Sequence, residues 1–174
     1  VGESDSRAVY YSSFTFKEAV YFIVATSKGL CYVGSPNQPI DEIIIWLNKH
    51  LPDYDLVEDH QHLTRYKQAL IRYLSGNLLT FTFEIDPMGT AFQQSVWRAL
   101  QDIPYGHTMT YGEVAKMINR PTAVRAVGRA IGANPLLIVI PCHRVIRKGG
   151  QLSGFRAGLA MKRMLLTLEQ TETA

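Results

Sequence analysis

Cysteine, histidine and arginine stand side by side in Ile140-Pro141-Cys142-His143-Arg144-Val145, a combination able to make and use a sulfur nucleophile. A thiol attacks as its thiolate, and a free cysteine with a pKa of about 8.5 is barely ionised at neutral pH unless a base or a positive charge assists. His143 and Arg144 offer both. Pro141 withholds a backbone donor and interrupts strand pairing, so the chain can turn there and present Cys142 to a cleft. Neighbouring side chains on a regular strand point to opposite faces; cooperation between Cys142 and His143 therefore requires irregular backbone or a bridging water, and the water is the expectation. A lone cysteine beside apolar residues is ordinarily a small buried hydrophobe. Cys31, inside the apolar stretch 30–33, is assigned to that class, whereas three reactive residue types following a proline set Cys142 apart.

The elements that must position this cluster are legible in outline. In the first half, 9–16 and 20–26 have strand composition, and Ser27-Lys28-Gly29 supplies a turn into 30–33. Asp41 can cap a helix carrying Ile44, Ile45 and Leu47, and 61–74 shows Leu63, Tyr66, Leu70, Ile71 and Leu74 at helical spacing before Gly76. A last strand, 79–85, ends at Asp86-Pro87, where a domain boundary is expected.

Beyond it the pattern changes. Thr90-Ala91-Phe92-Gln93 has the form of a capping box opening a helix with Phe92, Val96, Leu100 and Ile103 on one face, closed by Pro104-Tyr105-Gly106. Thr110-Tyr111-Gly112-Glu113 is a second capping box, and its helix breaks near Asn119-Arg120-Pro121. A third helix begins at Thr122. Two short helices joined by a tight break form a helix-turn-helix pattern. In the third helix Val124, Val127 and Ile131 are expected to be buried, with Thr122, Arg125 and Arg129 together on the opposite face. Residues 136–140 are wholly apolar and read as a buried strand or extended segment. Lys148-Gly149-Gly150 reads as a hairpin tip between 145–146 and 151–152, a candidate wing, and 159–169 as a closing helix.

The 174 residues, 47% hydrophobic and 19% charged, describe an ordinary globular chain and exclude disordered and fibrous classes. No stretch approaches a membrane span, no secretory signal pattern is present, and the two cysteines lack the spacing of a disulfide framework or zinc ribbon. A cytoplasmic location is expected. The net charge of +3 is unevenly spread: residues 1–86 hold seven Lys/Arg against eleven Asp/Glu, a net of −4, and residues 87–174 hold eleven against four, a net of +7. A polyanion would be drawn to the second half.

Pro141-Cys142-His143-Arg144-Val145, with Asn134-Pro135 before it and the helix-turn-helix carrying Tyr111 and Arg125 further upstream, resembles the methylated-DNA-protein-cysteine methyltransferases, or alkylguanine-DNA alkyltransferases. The match is specific from about Phe92 to Glu169. The resemblance implies an α/β protein with an N-terminal ribonuclease H-like α/β domain (1–86) and a winged helix-turn-helix domain (87–174). It further implies direct-reversal DNA repair, in which an alkyl group on oxygen-6 of guanine, or oxygen-4 of thymine, is transferred irreversibly to Cys142 after the base is flipped from the duplex.

By the same resemblance His143, acting through a water, takes the thiol proton, Glu169 orients His143, and Tyr111 crowds the target phosphate and protonates the departing guanine. Arg125 fills the space left in the base stack, and Asn134 ties the recognition helix to the cysteine segment. Arg120, Thr122, Arg129 and Lys148 join Tyr111 and Arg125 as DNA contacts, with the recognition helix in the minor groove. Cys142, Val145, Phe155 and Arg156 line the base pocket. Phe155 stands where many members have tyrosine and Arg156 where some have serine, so backbone rather than hydroxyl contacts are expected from that loop. The implied partner is double-stranded DNA containing alkylated guanine, met by a monomer without cofactor. Cys31, His50, His60 and His62 have no ligand spacing, and no metal is expected. A non-enzymatic damage sensor with the same DNA-binding half would lack the cysteine. A cysteine hydrolase would need an oxyanion hole that the sequence does not display.

Overall fold

The computed structural model describes residues 7–172. Alternating burial in the first half builds a four-stranded sheet. Strands β1 (Arg7–Phe16), β2 (Ala19–Thr26) and β3 (Gly29–Val33) form an antiparallel meander, and β4 (Tyr54–Glu58) joins the free side of β1 in parallel, giving the order β3-β2-β1-β4. Tyr21, Ile23 and Ala25 point to one face and Val24 to the other, as the two-residue period of a strand requires. Helix α1 (Asp41–His50) closes the second face with Ile43 and Leu47, against Val9, Val24 and Cys31. Helix α2 (His60–Leu74), capped by the Asp59 carboxylate on His62 N at 2.9 Å, covers the first face with Leu63, Tyr66, Leu70 and Tyr73.

The second half packs on that same first face, so one apolar cluster runs from Phe14 and Ile23 through Leu70 and Tyr73 to Trp97, Val127, Ile140 and Leu165. Both capping boxes form reciprocally, Thr90 with Gln93 at the start of α3 (Ala91–Gln101) and Thr110 with Glu113 at the start of α4 (Tyr111–Met117). Asn119 turns the chain at a φ of 59°, and α5 (Val124–Gly132) follows. Helix α5 is held to α3 by Trp97, whose indole Nε1 donates to Ala130 O at 2.8 Å. That carbonyl lies in the last turn of α5, where intrahelical donors run out, so the indole completes the helix end. A two-residue ladder pairs β5 (Met109–Thr110) with β6 (Val145–Ile146) in parallel, and α6 (Leu159–Glu172) closes the fold. No described helix is long and apolar enough to cross a membrane.

Several expectations change. Asp41 does not cap α1; the helix starts one residue earlier, with Ile40 at the N-cap position and Glu42 N bonded to Pro39 O at 3.1 Å, and Ile43 points inward while Ile45 is exposed. Residues 79–85 form no strand. Only Leu30 N to Glu84 O and Asp86 N to Leu30 O link that end to β3, while Phe81 and Phe83 fold onto Tyr73 and Tyr66. The strand pairing went instead to β4, which lacks an apolar signature because its outer residues are exposed. Val124, first in α5, is exposed, and Ala130 takes its place in the buried stripe with Val127 and Ile131. Gly149 and Gly150 make the expected turn at φ 93° and 86°, closed by Arg147 N to Gln151 O at 2.9 Å, but 151–152 add no strand.

Replacing Trp97 by Phe should leave Ala130 O buried without its donor and lower unfolding stability by about 1–3 kcal/mol. Denaturant unfolding of the two proteins would measure the difference.

Candidate active site

Cys142 begins a single 3-10 turn, Cys142–Arg144, rather than ending a strand. The backbone before it is irregular by construction. Asn134, buried just past the end of α5, donates from Nδ2 to Ile140 O at 2.9 Å and accepts at Oδ1 from Leu136 N at 2.9 Å, so one amide folds 134–140 back on itself. Ile138 is held at a φ of 74°, an outlier for a β-branched residue, within that tie. Val33 N to Pro135 O, 2.9 Å, anchors the same segment to the edge of β3. The backbone at Cys142 is thus irregular, a turn rather than a strand.

The sulfur faces a cavity of about 30 Å³ lined by Tyr111, Gly128, Ile131, Asn134, Leu137 and Phe155 among others, so the Cys142 residue, 4% exposed, opens toward α5 rather than into the core alone. Burial pushes its thiol above the ordinary value. The groups that oppose this are Asn134, Arg156 and Lys162. Arg144 is not among them. Its guanidinium turns the other way, to Glu169 Oε1 at 2.8 Å, Glu169 Oε2 at 2.9 Å and Ile103 O at 2.7 Å, which corrects the expectation that it charges the thiol.

His143 is fully buried, with Nε2 2.8 Å from Glu169 Oε2. Glu169 is held well below the usual carboxylate range, at about 2, because hydrogen bonds from His143, Arg144 and Tyr73 outweigh the burial that would raise it. An ionised carboxylate only accepts, so Nε2 carries the ring proton. The other nitrogen, Nδ1, has no hydrogen-bond partner among the described residues and presents a lone pair. Burial lowers the histidine below its ordinary value, with Glu169 opposing and Arg144 and Lys162 reinforcing, so the ring is a neutral base at physiological pH.

The remaining sequence-derived candidates fall in two groups. Tyr111, at the start of α4, lines the cavity and is hydrogen bonded to Ser153 Oγ. Arg120, Thr122, Arg125, Arg129 and Lys148 are all exposed. Val145 is buried, its carbonyl accepting from Lys162 Nζ at 2.7 Å. Phe155 and Arg156 both line the cavity, and the Arg156 guanidinium also reaches into the first half, to Glu42 Oε1 at 2.6 Å, Tyr32 Oη at 2.9 Å and Val33 O at 2.8 Å. Sequence reasoning missed Tyr73, Ser153 and Lys162. Lys162 carried a signal, since with Leu165 and Glu169 it occupies positions i, i+3 and i+7 of one helix face. The hydroxyls of Tyr73 and Ser153 carried none. Cys31 lies in the core with its thiol pushed up by burial and Asp86, as its assignment to a structural role expects.

Residues 91–171 match the family described as 6-O-methylguanine DNA methyltransferase, DNA binding domain. The chain is 48% identical to the inducible methylated-DNA–protein-cysteine methyltransferase of Bacillus subtilis, covering 97% of this chain and 94% of that one. It is 39% identical to the methylated-DNA–protein-cysteine methyltransferase of Methanosarcina acetivorans over 92% and 98%. Among solved structures, Mycobacterium tuberculosis OGT in complex with DNA superposes with a TM-score of 0.78 at 34% identity, covering 94% of each chain.

The depressed Glu169 pKa has a stability consequence of definite sign. A carboxylate with a folded value of about 2 and an ordinary value of 4.5 contributes its full stabilisation above pH 4.5 and loses it as pH falls toward 2. Glu169→Gln should therefore flatten the stability profile in that window. At pH 7 it should cost ~3 kcal/mol, because Arg144 loses its buried partner. Thermal unfolding of both proteins across pH 2.5–7 would check both effects.

Proposed function

The chain belongs to the methylated-DNA–protein-cysteine methyltransferases, which carry out direct-reversal DNA repair by alkyl transfer to a cysteine, and from that premise we propose that Cys142 is the acceptor and that His143 and Glu169 activate it. The observation that carries this reading is the polarised relay: Glu169 holds Nε2–H of His143, which turns the lone pair of Nδ1 to the proton-accepting role. Burial alone would keep Cys142 protonated. In the proposed reaction the thiol gives its proton through a bridging water to His143 Nδ1 as the sulfur attacks the alkyl carbon. The carbon–oxygen bond to the base breaks, and Tyr111 supplies a proton to the guanine so that it leaves neutral. The product thioether is a poor leaving group, and the transfer is single-turnover.

The substrate in this reading is duplex DNA with guanine alkylated on oxygen-6, and thymine alkylated on oxygen-4 as a second lesion. The cavity beside Cys142, at about 30 Å³, takes a small alkyl group, with the extruded ring in the opening between Tyr111 and Phe155. The Cys142 and Val145 carbonyls and a backbone donor near Arg156 would read the base edge. The exposed row of Arg120, Thr122, Arg125, Arg129 and Lys148 supports a DNA face, with Arg125 filling the vacated stack and α5 in the minor groove. Gly128 on α5 lies beside the Tyr111 ring, where an added Cβ would make ordinary van der Waals contact at 3.8 Å.

The strand order β3-β2-β1-β4, an antiparallel meander followed by a parallel strand after a helix, supports a ribonuclease H-like domain over 1–86. Helices α3 to α5 with the β5–β6 ladder support a winged helix-turn-helix over 87–174. We propose that the protein is a cytoplasmic monomer; its two free thiols are in keeping with a reducing compartment.

Incubation with duplex DNA containing one O6-methylguanine should add one methyl, stoichiometrically, to the peptide containing Cys142, and Cys142→Ala should abolish the gain; intact DNA binding with unchanged mass would overturn the assignment. Arg125→Ala should slow repair of duplex substrate by about tenfold or more, taking loss of a stacking contact at a few kcal/mol, while transfer from free O6-methylguanine changes little. Equal loss on both substrates would remove Arg125 from the flipping step.

A further inference from the structure

Tyr73 reaches the relay from the opposite half of the chain. It sits on the last turn of α2, one helical step beyond Leu63, Tyr66 and Leu70 on the buried stripe, and its ring is set by Phe81, with centroids 5.3 Å apart, and Tyr105, edge-on at 6.0 Å. Its hydroxyl donates to Glu169 Oε2 and lies 3.4 Å from His143 Nε2. Oε2 is the oxygen that also receives Nε2–H of His143 at 2.8 Å and the Arg144 guanidinium at 2.9 Å. A buried phenol needs some acceptor, and a purely structural tyrosine could have used any carbonyl nearby. This one lands on the single oxygen that orients the histidine.

We propose that Tyr73 is a positioning residue for alkyl transfer: its hydroxyl, delivered by the first half of the chain, fixes the Glu169 oxygen that orients His143 and keeps the imidazole neutral and ready to accept a proton. This rests on the assignment of His143 and Glu169 to the relay. The physical reason is competition. A carboxylate oxygen accepting three donors shares its negative charge among them, so less is left to stabilise a positive charge on His143. Burial pushes Tyr73 far above its ordinary value, so it remains a donor throughout the physiological range. The groups facing His143 are Glu169 and Lys162 from α6, Arg144 from its own turn, and Tyr73 from α2, with Tyr105 behind Tyr73. Glu169 alone among these raises the histidine, and Tyr73 is the neutral group that moderates it.

Removing the hydroxyl therefore has a signed effect. In Tyr73→Phe, Oε2 loses one donor, holds the imidazolium more strongly and moves His143 upward. The acid limb of the single-turnover rate against pH should shift to higher pH by about half a unit or more. Transfer to Cys142 from duplex O6-methylguanine should then fall about threefold or more at a pH on that limb, and converge with the unaltered protein near pH 9. The His143 ring resonances, followed by NMR titration of the full chain, should shift in the same direction.

Phe81→Leu loosens the packing of the same ring but leaves the hydroxyl, and should lower thermal stability without moving the limb. A Tyr73→Phe rate reduced by one factor at every pH, an unmoved His143 titration, or an equal shift in Phe81→Leu would each overturn the proposal. Loss of the relay assignment itself would look different: His143→Gln and Glu169→Gln would then transfer at the unaltered rate.

Discussion

A carboxylate sealed from water is the interaction on which the rest of the structure turns. Glu169 is 1% exposed, and an unpaired charge at such a depth would cost several kcal/mol. Its partners come from separate parts of the fold: Arg144 and His143 from the 3-10 turn and Tyr73 from α2. Arg144 in turn spans to Ile103 O, beyond the end of α3. Satisfying one anion thus sets the relative positions of α2, α3, α6 and the cysteine turn. The geometry that stabilises the fold is the same geometry that polarises His143, so the proposed catalytic arrangement needs no independent source of order.

The thiol poses the opposite problem. Burial raises Cys142, and its neighbours Asn134, Arg156 and Lys162 only partly offset that. A sulfur kept protonated at rest is protected from oxidation and from adventitious alkylation, both of which follow thiolate character. Under the proposed reaction, nucleophilicity is produced at the moment of attack, by a base held neutral. His143 fits this requirement because burial and two cations lower it while Glu169 opposes them. Under the proposed reaction, proton transfer and attack belong to one event, and the protein avoids storing a reactive anion.

What could be read from the sequence was local. Both capping boxes and the helical stripes of α2 and α3 depend on neighbours within a few residues, and each formed where expected. The errors arose where distant chain decided the outcome. Strand β4 has exposed outer residues and is defined only by the free side of β1, while 79–85 has strand composition but folds its aromatics onto α2. Arg144 adjoins Cys142 in sequence yet serves Glu169, since a guanidinium that can reach a buried carboxylate in two-point geometry gains more there than beside a neutral thiol. Tyr73 was missed, because the acceptor of its hydroxyl lies 96 residues away.

The path from the exposed arginines to the sulfur is short and stiff. Arg125 and Arg129 lie on α5, whose end is completed by Trp97 and followed directly by Asn134, and that amide grips the backbone of Leu136 and Ile140 two residues before Cys142. Holding Ile138 at positive φ within this span costs of order 1–3 kcal/mol, and the surrounding core over-determines it. A chain free to relax there would let the cysteine drift relative to α5. If α5 is the element that meets DNA, the strain has a use: it keeps the distance between the helix that holds the duplex open and the atom that receives the alkyl group from varying. Transfer by in-line displacement demands that constancy, because an error of about 1 Å in the approach of sulfur to carbon can cost roughly a hundredfold in rate.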